Sequence, residues 1–337
     1  MSTTVSSTAA ERPIKASERI GKEETENTTP ATSEVTAVET FTLGPPLPPV
    51  LDLGDQRPFV KKWRIRILST ILRYTIDFLS LPLYLWPVGN RLRTTIKTET
   101  TGRCRLCIYY PKPNKTESKL STPRGVLVHL HGGGWSADGL SSTLSTAKIP
   151  LIAPIDPKKI ALSGASAGSN LAASVTLLSL TRPLPNNAKI TALGLLYPSL
   201  NFTVPYRDKL ARVDPTRVLP PWMSKLWLKA YLPPPRDIKD PYISPALAPQ
   251  EYLKQFPPTL ILTAEYDYLA YEAEEWVILL QQAGVPVDHK RFAKVGHAFD
   301  GMPTLGWKQR KLNEQARKEA WGMMVKEFQI GLTDVRE

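Results

Sequence analysis

The chain has 337 residues, 42% of them apolar and eight of them Trp, which is enough for one large α/β domain or two ordinary ones with a buried core. Its formal charge of +12, from 43 Lys and Arg against 31 Asp and Glu, favours anionic surfaces or substrates, but the basic residues are scattered without a reading motif, so no nucleic-acid partner is expected. The 32 Pro punctuate short connectors such as GPPLPP and LPPPR, which speaks against a largely unfolded chain.

Residues 1–40 carry four Lys and Arg against seven Glu among many Thr and Ser, with no apolar core of the kind a secretory signal needs. A disordered tail over 1–55 and an intracellular setting, cytoplasmic or membrane-associated, are expected. Residues 56–90 turn basic at Lys61, Lys62, Arg64 and Arg66, then apolar in ILSTILRYTIDFLSLPLYLWP. That run is about long enough to span a bilayer, roughly 20 residues, yet Arg73 and Asp77 lie inside it and Pro82 and Pro87 interrupt it. Four apart, Arg73 and Asp77 can pair on a helix. A helix that covers the folded domain or lies at a membrane surface through 59–87 is favoured over a span.

Residues 91–337 read as one α/β domain. A hairpin over TTIKTET and RLCIYY is followed by a buried strand, VLVHLH. Cys104 and Cys107, the only cysteines, fall three apart on the second hairpin strand, so they face opposite sides about 10 Å apart and neither a disulfide nor a metal site is expected. Beyond SADGLSSTLSTAKIPLIAPIDP (136–157) come the strand KKIALSG, a helix over AGSNLAASVTLLSL, the strand ITALGLLYPSL and a Pro-rich excursion holding WMSKLWLKAYL. The strand PTLILTAEYD, a helix over YEAEEWVILLQQAG, the strand VDHKRFAK and a last helix near 307–330 complete it. This alternation predicts a mostly parallel sheet covered by helices on both faces.

GASAG, Gly164 to Gly168, matches Gly-x-Ser-x-Gly between an apolar strand and a helix, the context of a nucleophile elbow that pushes Ser166 clear of the sheet. A serine hydroxyl needs a base within reach. Of the four His, His129 and His131 flank a strand end and His289 lies within a strand, His131 reading as a loop-organising residue. His297 follows a strand in the loop VGHAFDG and is the base candidate. Asp267 ends an apolar strand and can hold the imidazole, whereas Asp288 begins a strand and belongs to the opposite sheet edge. The order Ser166, Asp267, His297 is that of α/β-hydrolases. HGGGW supplies glycines whose N–H groups can turn to an oxyanion, which assigns Gly133, Gly134 and Ala167 as donors. No metal or organic cofactor is required.

These motifs, with SPALAP at 244–249, resemble the hormone-sensitive-lipase-like branch of the α/β-hydrolases, a group of carboxylesterases and deacetylases, from about residue 90 onward. The resemblance implies the same roles for Ser166, Asp267, His297, Gly133, Gly134 and Ala167. It departs at Ala165, where an acidic residue is common, at Ser169, where a glycine is usual, and at Tyr271, where a second Asp often stands. It further implies a cap built from 59–87 and an insertion at about 202–240, with Trp222, Trp227 and Tyr231 lining a pocket.

Between the glycine loop and the elbow the family places a helix, a strand and a second helix, about 25 to 30 residues. Residues 136–157 are too few for these, though enough for a single parallel crossover, so one central strand is expected to be missing and a sheet edge exposed. The expected activity is hydrolysis of a small-molecule carboxylic ester. A non-catalytic binding protein on the same fold, as plant gibberellin receptors are, and an amide-cleaving deacetylase or formamidase remain open, as does the oligomeric state.

Overall fold

In the computed structural model, residues 57–85, 94–97, 105–108, 123–134, 155–232, 234–302 and 304–333 are described. Five apolar runs become five adjacent strands, β3 (Arg124–Leu130), β4 (Ile155–Ala165), β5 (Ile190–Leu196), β6 (Thr259–Tyr266) and β7 (Val287–Gly296), in the order β3-β4-β5-β6-β7. Every neighbouring pair is parallel. Such a sheet must be buried on both faces, and the two-residue side-chain period divides its apolar residues accordingly.

On one face Leu193, Leu195 and Ile261 pack with Leu177, Trp276 and Leu280 from α2 (Ala167–Thr181) and α6 (Ala270–Gln282). On the other, Ala192, Leu196, Leu260 and Leu262 meet Ala316, Ala320, Met324 and Phe328 of α7 (Trp307–Leu332). Gly194 lies where α7 crosses closest: a Cβ there would stand 2.6 Å from Met324 Sδ and from Phe328 Cζ. The mostly parallel, helix-covered sheet expected from the sequence is therefore the observed architecture.

β1 (Thr94–Lys97) and β2 (Arg105–Ile108) form the antiparallel hairpin, a two-stranded sheet separate from the larger one. Among the described residues β3 pairs only with β4 and ends the large sheet. Residues 136–154 of the short connection lie outside the described residues, as do the tail 1–55 and Cys104. β4 begins at Ile155, three residues before the strand read from the sequence, so Ile155 to Pro157 belong to the sheet and not to the connection.

α1 (Phe59–Leu85) is a single helix that runs past Pro82. The proline, expected to interrupt it, only deprives one backbone position of its donor near the helix end. The side chains of Arg73 and Asp77, expected to pair, lie outside what is described. No helix among the described residues is long and apolar enough to cross a membrane. Between β5 and β6 stand α3 (Tyr206–Leu210), α4 (Pro221–Tyr231) and α5 (Gln250–Leu253), and α1 packs on α4.

Candidate active site

Parallel strands deliver their carboxyl ends to one edge, and that edge collects the chemistry. β4 ends at Ala165 and α2 starts at Ala167, which leaves Ser166 on the turn with φ 53° and ψ −116°, a conformation that costs on the order of 1–3 kcal/mol for a residue with a side chain. Gly164 and Gly168 make the turn sterically feasible. A Cβ on Gly164 would stand 2.2 Å from Gly168 C, and one on Gly168 would stand 2.0 Å from Leu130 O.

Ser166 N–H donates to Leu196 O at 2.9 Å, which moors the turn to β5. Ser169, where the resemblance implied a glycine, uses its hydroxyl for the same purpose. Its Oγ donates to Gly164 O at 2.6 Å and lies 3.0 Å from Leu196 O, while accepting from Leu196 N–H at 3.1 Å.

His297, in the loop after β7, has Nε2 2.8 Å from Ser166 Oγ and Nδ1 2.6 Å from Asp267 Oδ2. Asp267, buried at the end of β6, accepts Leu269 N–H with its other oxygen at 3.0 Å. Ser166, His297 and Asp267 are thus one continuous relay. Asp288 sits at the far end of β7, opposite Leu260, and takes no part. His289 Nε2 contacts Thr263 Oγ1 at 3.1 Å, and His131 Nδ1 meets Gly132 O at 2.7 Å within the glycine loop.

The glycine loop follows β3 and abuts the elbow: a Cβ on Gly132 would lie 3.1 Å from Ala165 O and 3.5 Å from Ser166 Cβ. Gly133 and Gly134 take φ of 115° and 61°, conformations that glycine adopts without strain. Ala167 opens α2, so its N–H belongs to the first turn, which has no helical acceptor.

Trp227 of α4 packs over Gly134, where a Cβ would lie 2.4 Å from its ring. A small, open cavity lies between, walled by Phe202, Tyr206, Trp227, Leu228 and Tyr268, with Ser166 and His297 in its lining. Of the three aromatic residues expected there, Trp227 is in place. Trp222 lies five positions earlier, turned about 140° around the helix, and is exposed. Tyr231 is not in the lining.

Three features went unread in the sequence. Tyr197, at φ 39° just past β5, lays its ring against His297, with centroids 4.8 Å apart. Its hydroxyl donates to Asp300, which also accepts from Trp321 Nε1 at 3.2 Å. Burial raises the pKa of Asp300 above the usual carboxylate range, and burial followed by the Asp300 charge raises that of Tyr197. Asp300 lies three residues after His297 in VGHAFDG, a proximity that could have flagged it.

Behind the pocket, Lys209 of α3 forms a buried ion pair with Glu272 of α6. Glu272 Oε1 also accepts Leu200 N–H at 2.8 Å, and Lys209 Nζ donates to Asn201 O at 2.7 Å, so the chain leaving β5 is fastened to α6. Burial pushes the Glu272 carboxyl up, against the opposing pull of Lys209. Under the site, His129 Nδ1 meets Ser163 Oγ at 2.8 Å, and burial lowers its pKa to about 4. No cluster of His, Cys, Asp or Glu that could hold a metal occurs among the described residues.

Residues 136–301 match the family model described as alpha/beta hydrolase fold. An arylesterase of Saccharolobus solfataricus is 27% identical over 257 residues, 64% of this chain and 79% of that protein. The carboxylic ester hydrolase LipN of Mycobacterium tuberculosis is 31% identical over 159 residues, 44% of this chain and 40% of LipN. Among solved structures, an esterase from the archaeon Pyrobaculum calidifontis superposes with a TM-score of 0.57 at 23% identity, covering 80% of this chain and 99% of that one, a likeness of fold.

Proposed function

We propose that this chain, which belongs to the hormone-sensitive-lipase-like α/β-hydrolases and is a carboxylesterase-like hydrolase, cleaves small-molecule carboxylic esters with Ser166 as nucleophile. The observation that carries the reading is the relay from Ser166 Oγ through His297 to buried Asp267, at 2.8 and 2.6 Å.

Ser166 Oγ adds to the ester carbonyl carbon as His297 Nε2 takes its proton. Asp267 holds Nδ1–H, which fixes the tautomer and balances the imidazolium. The carbonyl oxygen becomes an oxyanion held by the N–H groups of Gly133, Gly134 and Ala167, each of which contributes on the order of 3 kcal/mol in such sites. Collapse breaks the ester C–O bond, and the proton on Nε2 leaves with the alcohol. Water, activated by the same imidazole, then releases the acid and restores Ser166.

The lining by Phe202, Tyr206, Trp227 and Leu228 supports the segment at about 202–240, with α1 packed on it, as a cap over the ester. The tail 1–55 and the catalytic domain 91–337 complete the proposed organisation. Because β3 ends the described sheet, a weakened enzyme or a non-catalytic binder on this fold is the second reading. p-Nitrophenyl acetate and butyrate are expected to be hydrolysed with burst kinetics, and Ser166→Ala to abolish turnover and fluorophosphonate labelling. A wild-type chain that neither turns over nor labels refutes the esterase reading, and ligand-induced thermal stabilisation without turnover identifies the binder.

A further inference from the structure

α1 exposes a stripe that a globular enzyme has reason to bury. Val60, Trp63, Ile67, Ile71 and Tyr74 recur at three- and four-residue intervals and are between 47% and 76% exposed. At about 100° per residue they fall within roughly 80° of arc. Ile65 and Ser69 lie on the opposite side and are buried. The helix is thus already packed along one flank, on α4, and Arg57 Nη1 donates to the Lys229 carbonyl there. Its apolar outer flank is a second, separate face.

Charge defines what that face meets. Arg64 and Lys61 border the stripe on one side and Arg66 borders it on the other, while Lys62 lies farther round. No acidic residue occurs from Gln56 to Ile76. An apolar stripe that carries Trp and Tyr and is edged by cations is the pattern of a helix lying in the plane of an anionic bilayer, with its apolar side about 5–10 Å into the headgroup boundary. A second copy of the chain fits poorly, since a two-fold contact would set these same cations against each other. A span is equally disfavoured, because no described helix is long and apolar enough and one side of α1 is committed to α4.

We infer that the outer face of α1 docks the protein on an anionic phospholipid surface. The inner flank of α1 rests on α4, which supplies Ser224, Trp227 and Leu228 to the cavity.

The test is co-sedimentation of the full chain with vesicles of phosphatidylcholine alone and with about one third phosphatidylglycerol. The Ser166→Ala protein serves equally, so the result does not depend on the esterase reading. Binding is expected only with the anionic vesicles and is weakened by high salt. Lys61→Gln with Arg64→Gln is expected to lower the partition coefficient roughly thirtyfold, and Ile67→Ser with Ile71→Ser at least about tenfold. Thermal melting of both variants is expected to match the parent, which separates lost docking from lost fold. Equal binding to neutral and anionic vesicles, undiminished binding by the folded variants, or a lipid-free dimer that the Ile67 and Ile71 substitutions dissociate would each overturn the inference, the last by showing that a second copy covers the face.

Discussion

Gly168→Ala strikes at the contact between the elbow and the glycine loop. The added Cβ would stand 2.0 Å from Leu130 O, 2.5 Å from His131 O and 2.6 Å from Leu130 C, all backbone atoms at the end of β3. Since ordinary contact begins at 3.4 Å, α2 and β3 must separate by about 1.4 Å, and no flexible side chain can absorb the change. Overpacking of this kind costs about 3 kcal/mol, which for a domain of this size lowers the melting temperature by roughly 6–12 °C. Activity is expected to fall further than stability, because the displaced strand carries the glycine loop, and a misplacement of about 1 Å reduces turnover on the order of a hundredfold. Differential scanning fluorimetry and p-nitrophenyl butyrate hydrolysis read the two effects. Gly322→Ala in α7, where a Cβ meets nothing within 4 Å, is the control and is expected to add about 1 kcal/mol of stability. A Gly168→Ala protein that melts within about 2 °C of the parent and keeps its kcat/KM within about twofold refutes the reasoning.

Asp267→Asn leaves the fold in place but offers the wrong hydrogen-bonding partner to His297 Nδ1, so kcat is expected to fall on the order of 10⁴-fold with little change in melting temperature. His129 gives the stability a pH dependence: its pKa is lowered from 6.5 to about 4 in the folded chain, so between those values the unfolded chain binds more protons. Its contribution is complete above pH 6.5 and is lost as pH falls toward 4, by about 3 kcal/mol, and urea midpoints for His129→Gln should show a shallower decline. An unchanged slope in that variant contradicts the assignment. Lys209→Met leaves Glu272 buried without its cation, at an expected cost of about 3–5 kcal/mol, and adding Glu272→Gln should restore part of it in chemical denaturation.

The sheet and the relay were legible for a shared reason. β5, β6 and the second half of β4 from Ala161 are largely buried and read as mostly apolar runs, and glycine-flanked or acidic residues at their carboxyl ends mark the edge that carries the relay. Ser166, Asp267 and His297 were found by position at strand ends. Trp222 was misplaced because the aromatic residues of α4 were taken together, whereas helical rotation gives Trp227 to the pocket and Trp222 to solvent. Tyr197 and the Lys209–Glu272 pair were invisible because their significance lies in partners far along the chain, His297 and α6 respectively. Pro82, expected to interrupt the apolar run, leaves the helix continuous because its place near the end of α1 makes the lost hydrogen bond inexpensive.

The relay is also uneven in how firmly its parts are anchored. Ser166 follows β4, an interior strand, and Asp267 follows β6, another, whereas His297 follows β7, which among the described strands has only β6 as a neighbour. The imidazole is 131 residues from its serine and 30 from its aspartate, so nothing local keeps it in place once β7 loosens. Opening of an outer strand is a partial unfolding event, available at a lower free energy than global unfolding. Catalysis would therefore fail in mild denaturant while most of the helix signal persists, with hydrogen exchange appearing first in β7 and the loop beyond it.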